Sequence, residues 1–172
     1  NIGVHFDKTF SPKDAKSEKA HIVFTGPIDE WFDHAFGRLP YRTLRFENFI
    51  VDGDYQGAPV INYCDAQIPY TRVVEHKYFT TWRQFEKSYC TREYSAEAEP
   101  GDEPFYPVHL AGEQSELRQY LDAARGSRGV SFVGRMATFR YIDMDVAIAE
   151  ALKASKAILK ATAEGKAIPA LF

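Results

Sequence analysis

Cysteine is scarce: the 172 residues contain only Cys64 and Cys90, whose separation matches no metal-ligand spacing. A disulfide scaffold is therefore excluded, and two buried free thiols in a reducing, cytoplasmic compartment are expected. The five histidines show no H-x-x-x-H spacing, so no metal centre is expected. A basic excess is missing as well. With 21 Lys and Arg against 24 Asp and Glu, the net charge is −3, and no cationic stripe is left to neutralise a nucleic-acid backbone. No apolar run approaches the roughly 20 residues a bilayer requires, and no signal-peptide pattern is present, so no membrane partner is expected. There is no G-x-S-x-G nucleophile elbow and no G-x-G-x-x-G dinucleotide turn.

What is present describes a globular chain with room for a core, 45% hydrophobic and 26% charged. Aromatics reach 15%, with 10 Tyr and 13 Phe, a bias that suits strands and ring-stacking surfaces. The chain opens on Asn1, and its first 20 residues are polar and uneven, which reads as the middle of a longer protein.

Periodicity divides the chain into 1–40, 41–110 and 111–172. In the first part, Ile2 to Phe6 is a possible strand and His21 to Phe24 a short buried one. The Thr25-Gly26-Pro27 turn follows, then a short helix from Ile28 to Phe36 that ends at Gly37. From Tyr41 the period is two. Strands are expected over Tyr41 to Val51, Ala58 to Cys64, Pro69 to Phe79 and Ser88 to Tyr94, with Tyr70, Arg72 and His76 sharing a face. Glu97 to Glu103 reads as a solvated acidic loop. Helical spacing returns from Glu113 to Arg125 and again after Asp143, with Ile148, Leu152, Ser155 and Leu159 on one face, and Val130 to Val133 forms a strand between the two helices. The fold class is α+β: an antiparallel sheet of about five or six strands flanked by helices, with remnants of an α/β layer.

The stretch Gly134 to Asp145 carries the strongest chemical signal. A strand, a glycine turn bearing Arg135 and a helix N-terminus with Asp143, Met144 and Asp145 leave backbone N–H groups free where the dipole is positive, a setting for an anionic ligand. Arg72 amid a strand suits either a solvated face or a fixed cation for phosphate, and Asn62 is a possible neutral partner on a neighbouring strand. Tyr106, beside Pro107, reads as structural on its own. Glu75 and His76, as neighbours in a strand, point to opposite faces and cannot form a dyad.

Five segments in order, VFTGPID (23 to 29), NYCD (62 to 65), PYTRVVEHK (69 to 77), EPFYPV (103 to 108) and GRMATFRYIDMD (134 to 145), resemble the C-terminal half of UDP-galactopyranose mutase. That resemblance implies an isomerase that interconverts UDP-galactopyranose and UDP-galactofuranose through an adduct between the sugar and N5 of reduced FAD. It also implies a place in cell-wall polysaccharide synthesis. By resemblance, Asn62, Arg72, Tyr106 and Tyr141 hold the substrate, with Arg72 in the catalytic role. Arg135, Asp143, Met144 and Asp145, and more weakly Gly26, lie at the cofactor. The sequence departs from the family at Cys64, where threonine is usual, and over Thr80 to Glu99. Lacking the glycine fingerprint, the chain is expected to be a fragment that does not retain FAD, is inactive alone and self-associates, within a protein that is a homo-oligomer. Two rivals stand: an amine-oxidase-like FAD oxidoreductase, and a non-catalytic module that binds nucleotide sugars.

Overall fold

A computed structural model of the chain describes residues 2–7, 10–15, 20–108 and 115–172. In chain order the elements are α1 (Pro12–Ala15), β1 (Ile22–Phe24), α2 (Ile28–Trp31), β2 (Tyr41–Asp52), β3 (Val60–Asn62) and β4 (Arg72–Glu75). A 3₁₀ turn (His76–Phe79) follows, then β5 (Lys87–Glu97), β6 (Tyr106–Pro107), α3 (Ser115–Gly126), β7 (Val130–Phe132) and α4 (Met144–Ala163). The fold is α+β, with a five-stranded sheet in the order β3-β4-β5-β2-β6 and a two-stranded sheet of β1 and β7. The chain divides into two compact units. One comprises Asn1–Pro40 and Tyr106–Phe172, the other Tyr41–Phe105.

In the second unit β2 and β5 pair antiparallel without a break from Arg42↔Glu97 to Asp52↔Lys87. Strand β4 joins β5 from Arg72↔Glu93 to Glu75↔Cys90, and β3 joins β4 through Asn62↔Arg72. The period of two then sorts the side chains. Thr43, Val73, Glu75, Ser88 and Cys90 fall on the buried face, while Phe46, Asn62, Arg72 and Glu93 line the other. Val73 is fully buried and Arg72 is not, as the alternation requires. This core is unusually polar for so small a sheet, and Glu75 is its centre. Its carboxylate accepts from the backbone N–H of Tyr55 (3.1 Å), Gln56 (2.8 Å) and Gly57 (3.0 Å), and from Ser88 Oγ at 2.5 Å. The turn it gathers in bends through Gly53 (φ 70°) and Gly57 (φ 71°), a backbone region that glycine reaches without strain.

In the first unit β1 and β7 run parallel, from Ile22↔Val130 to Phe24↔Phe132, and Phe132 N–H donates to Ala170 O at 2.8 Å on the far side. Phe24, Trp31 and Phe132 pack with ring centroids 4.7 to 5.9 Å apart. Leu117, Tyr120 and Ala124 of α3 are buried, and Tyr120 Oη donates to Gly37 O at 2.7 Å. Helix α4 buries only Ala154 and Ala161; Met144, Ile148, Leu152 and Leu159 remain exposed.

Several expectations are corrected. Residues Ile2 to Phe6 form no strand. Strand β1 is not wholly buried, since Val23 is exposed. The helix after Pro27 stops at Trp31, and turns carry the chain to Gly37, with Asp33 and His34 both in the left-handed region. The expected strand Pro69 to Phe79 is only the four residues of β4, because the β-branched pair Val73-Val74 ends and the chain must turn back toward β5. Tyr70 does not share the face of Arg72. Its ring packs on Tyr63, Tyr94 and the Arg92 guanidinium, all on the opposite side. Strand Ala58 to Cys64 shortens to Val60–Asn62, which leaves Cys64 exposed and only Cys90 buried. The expected first turn of the helix from Glu113 lies outside the described residues.

Candidate functional site

Two groups of side chains stand out, one in each unit. In the sheet unit, register places Asn62, Arg72 and Glu93 side by side on three adjacent strands. Arg72 Nε donates to Asn62 Oδ1 at 2.9 Å, and Nη1 lies 3.4 Å from Glu93 Oε2. The Arg72 side chain is 40% exposed, so it is oriented by its partners and still partly open to solvent. Glu93 was not anticipated, since only the register reveals which residue sits across from Arg72.

His76 reaches the same face from the 3₁₀ turn. Its Nε2 lies 2.8 Å from Thr91 Oγ1, whose hydroxyl donates to Asn48 Oδ1 at 2.8 Å. Glu75, bound within the turn, takes no part, so the two neighbours form no dyad.

In the other unit, residues 134–142 and the start of α4 build a cation–tyrosine cluster. Arg135 Cζ lies 5.2 Å from the Tyr106 ring centroid and 5.0 Å from that of Tyr141, within cation–π range. The two rings are 5.8 Å apart and inclined at 30°. Both Nε and Nη2 of Arg135 donate to Ile142 O, which leaves Nη1 without a hydrogen bond among the described residues. Tyr141 is 61% exposed. Asp143 is the N-cap of α4 but makes no side-chain capping bond, so the first-turn N–H groups stay available beside the exposed Met144 and Asp145. At Gly134 (φ 89°) an added Cβ would meet nothing within 4 Å, so the space there is open. An unbonded guanidinium nitrogen, phenol hydroxyls and a free helix N-terminus suit a diphosphate.

Gly26 has a local explanation. A Cβ there would come within 2.8 Å of the Phe24 ring, which is already packed against Trp31. Among the described residues no group of His, Cys, Asp and Glu could hold a metal ion, and no helix is long and apolar enough to cross a membrane.

The chain is an α+β protein with a partly exposed, hydrogen-bonded arginine in each unit. It belongs to the UDP-galactopyranose mutase family, whose model matches residues 1–141. Among curated proteins it is similar to a probable UDP-galactopyranose mutase of Klebsiella pneumoniae, 44% identical over 169 residues, or 98% of this chain and 44% of that protein. It is also similar to the dTDP-fucopyranose mutase of Escherichia coli, 45% identical over 141 residues (81% and 37%). The UDP-galactopyranose mutase of Mycoplasma pneumoniae is 33% identical over 146 residues (81% and 36%). The chain thus spans less than half the length of these relatives.

Proposed function

We propose that the protein to which this chain belongs interconverts UDP-galactopyranose and UDP-galactofuranose for polysaccharide synthesis in the cytoplasm. The observation that carries this reading is the Arg135 guanidinium set against both the Tyr106 and Tyr141 rings in a chain of this family. Arg72 and Asn62 would bind and orient the substrate diphosphate, with the phenol hydroxyls of Tyr106 and Tyr141 as further donors. Arg135 and the N-terminal turn of α4, with Asp143, Met144 and Asp145, would hold FAD, and the unbonded Nη1 of Arg135 fits the cofactor's pyrophosphate. Reduced FAD supplies the nucleophilic N5 that ring interconversion needs. Positive partial charge at the start of α4 favours the electron-rich reduced form. The test is to incubate the complete protein with UDP-galactofuranose and dithionite and follow UDP-galactopyranose by chromatography. Product without any consumed electron acceptor supports the mutase and excludes an amine-oxidase-like reaction. UDP binding without turnover supports a binding module.

One observation favours a second substrate. The identity to the dTDP-fucopyranose mutase equals that to the Klebsiella relative within a percentage point. Comparing kcat/KM for UDP-galactopyranose and dTDP-fucopyranose decides between them.

A further inference from the structure

Within residues 134–142 one backbone position is unfavourable, and beside it lies a pair of side chains that the site as described does not use. Phe139 is 2% exposed and has φ 48°, a left-handed backbone that a bulky side chain adopts only where its surroundings impose it. The constraint is visible next door. Arg140 Nη1 and Nη2 donate to the two carboxylate oxygens of Glu150 at 2.8 and 2.6 Å, a bidentate fork reaching into α4. The Nε of the same guanidinium donates to Thr138 Oγ1 at 3.0 Å, and Thr138 Oγ1 donates to Gly134 O at 2.7 Å. Nη2 also reaches Phe172 O at 3.3 Å. On the backbone, Arg140 N–H donates to Arg135 O at 3.0 Å, and Thr138 N–H to Gly134 O at 3.1 Å. One guanidinium therefore ties α4 to the residues that carry Arg135 at one end and Tyr141 at the other.

We infer that Arg140 and Glu150 are positioning residues: they hold the strained turn so that Arg135 and Tyr141 face the ligand. This assignment rests on the function proposed above. A bidentate, partly buried pair can do more than fasten a helix. The shared Thr138 hydroxyl and the left-handed Phe139 make this pair part of the turn itself. Releasing Glu150 frees the fork, the turn can relax at Phe139, and Arg135 loses its fixed place beside the two tyrosine rings.

The experiment compares Glu150→Ala, Arg140→Ala, the double variant and Glu150→Gln with wild type in the complete protein. Hydrogen exchange of peptides spanning 134–142 should be about tenfold faster in either alanine variant, with peptides of β5 unchanged. With FAD added to saturation, KM for UDP-galactofuranose should rise about tenfold while kcat falls less than about threefold, and FAD itself should be held more weakly than in wild type. The double variant should be no worse than the worse single one, the mark of two residues acting as one device. Glu150→Gln, which keeps an acceptor in place, should recover most of the loss. Unchanged exchange, or fast exchange with wild-type KM in a folded, flavin-loaded variant, overturns the proposal. A wild-type protein without turnover would count against the mutase reading alone. The exchange contrast, together with affinity for UDP, would then still decide the positioning role.

Discussion

Asn62 and Glu93 hold the Arg72 guanidinium from two sides, so its orientation is set without any ligand. Arg72→Ala in the complete protein should remove charge-assisted bonds worth about 1.5 to 3 kcal/mol, weakening UDP-galactose binding by one to two orders of magnitude with little change in flavin content. Calorimetric titration and the flavin absorbance check both parts. Arg72 and Asn62 could be singled out from the sequence because residue type and motif coincide there, but Glu93 is defined by cross-strand register, which residue spacing does not encode. Glu75 was hidden for the same reason: nothing in a Glu-His pair announces a carboxylate wrapped by three backbone N–H groups. Burial alone would push this carboxyl up, but the Ser88 hydroxyl and the amides of Gln56, Tyr55 and Gly57 outweigh it and hold it below the ordinary carboxylate range. A depressed folded value stabilises the fold above the unfolded pKa, and that contribution is lost as pH falls through the folded one. Glu75→Gln should therefore cost about 2 kcal/mol at neutral pH, where it leaves buried amides underserved, and should flatten the acid limb of stability. Thermal unfolding measured from pH 7 down to about 3 reads both effects.

Among the elements, the long ones were legible and the short ones were not. Strands β2 and β5 and helices α3 and α4 repeat their period often enough to identify themselves, whereas four-residue pieces such as α2, β4 and the 3₁₀ turn carry barely one repeat. Their type is set by tertiary demands: Lys77 is anchored to Gly53 O and Asp54, and His76 to Thr91, contacts no local pattern announces. Helix α4 makes the opposite point. Its period was plain, yet the stripe Met144, Ile148, Leu152 and Leu159 lies exposed. Periodicity tells which residues share a face, not which face is covered. An apolar stripe of this kind drives association in water. In sedimentation velocity the chain alone should be oligomeric at micromolar concentration, and Leu152→Glu with Ile148→Lys should shift it toward monomer. A monomeric parent chain would dismiss the idea.

For the molecule as a whole, the family was legible because five motifs stand in one order, which needs no knowledge of packing. The missing glycine fingerprint sets the corresponding prediction. Purified alone, this chain should carry no stoichiometric flavin absorbance between about 350 and 500 nm and no mutase turnover, since Arg135 and one helix N-terminus cannot by themselves offset the cost of ordering a bound dinucleotide. A yellow protein would refute this. The division of the chain has a consequence for its birth. The residues from Tyr41 to Phe105 are an insertion, emerging from the ribosome complete while the unit around them is still half made. At about 5 to 20 residues per second, β1 waits several seconds for β7, its only strand partner among the described residues, to be synthesised. Through that interval Phe24 and Trp31 have no Phe132 to pack on. Slow codons between β1 and β7 would lengthen the time for which Phe24 and Trp31 wait for that ring.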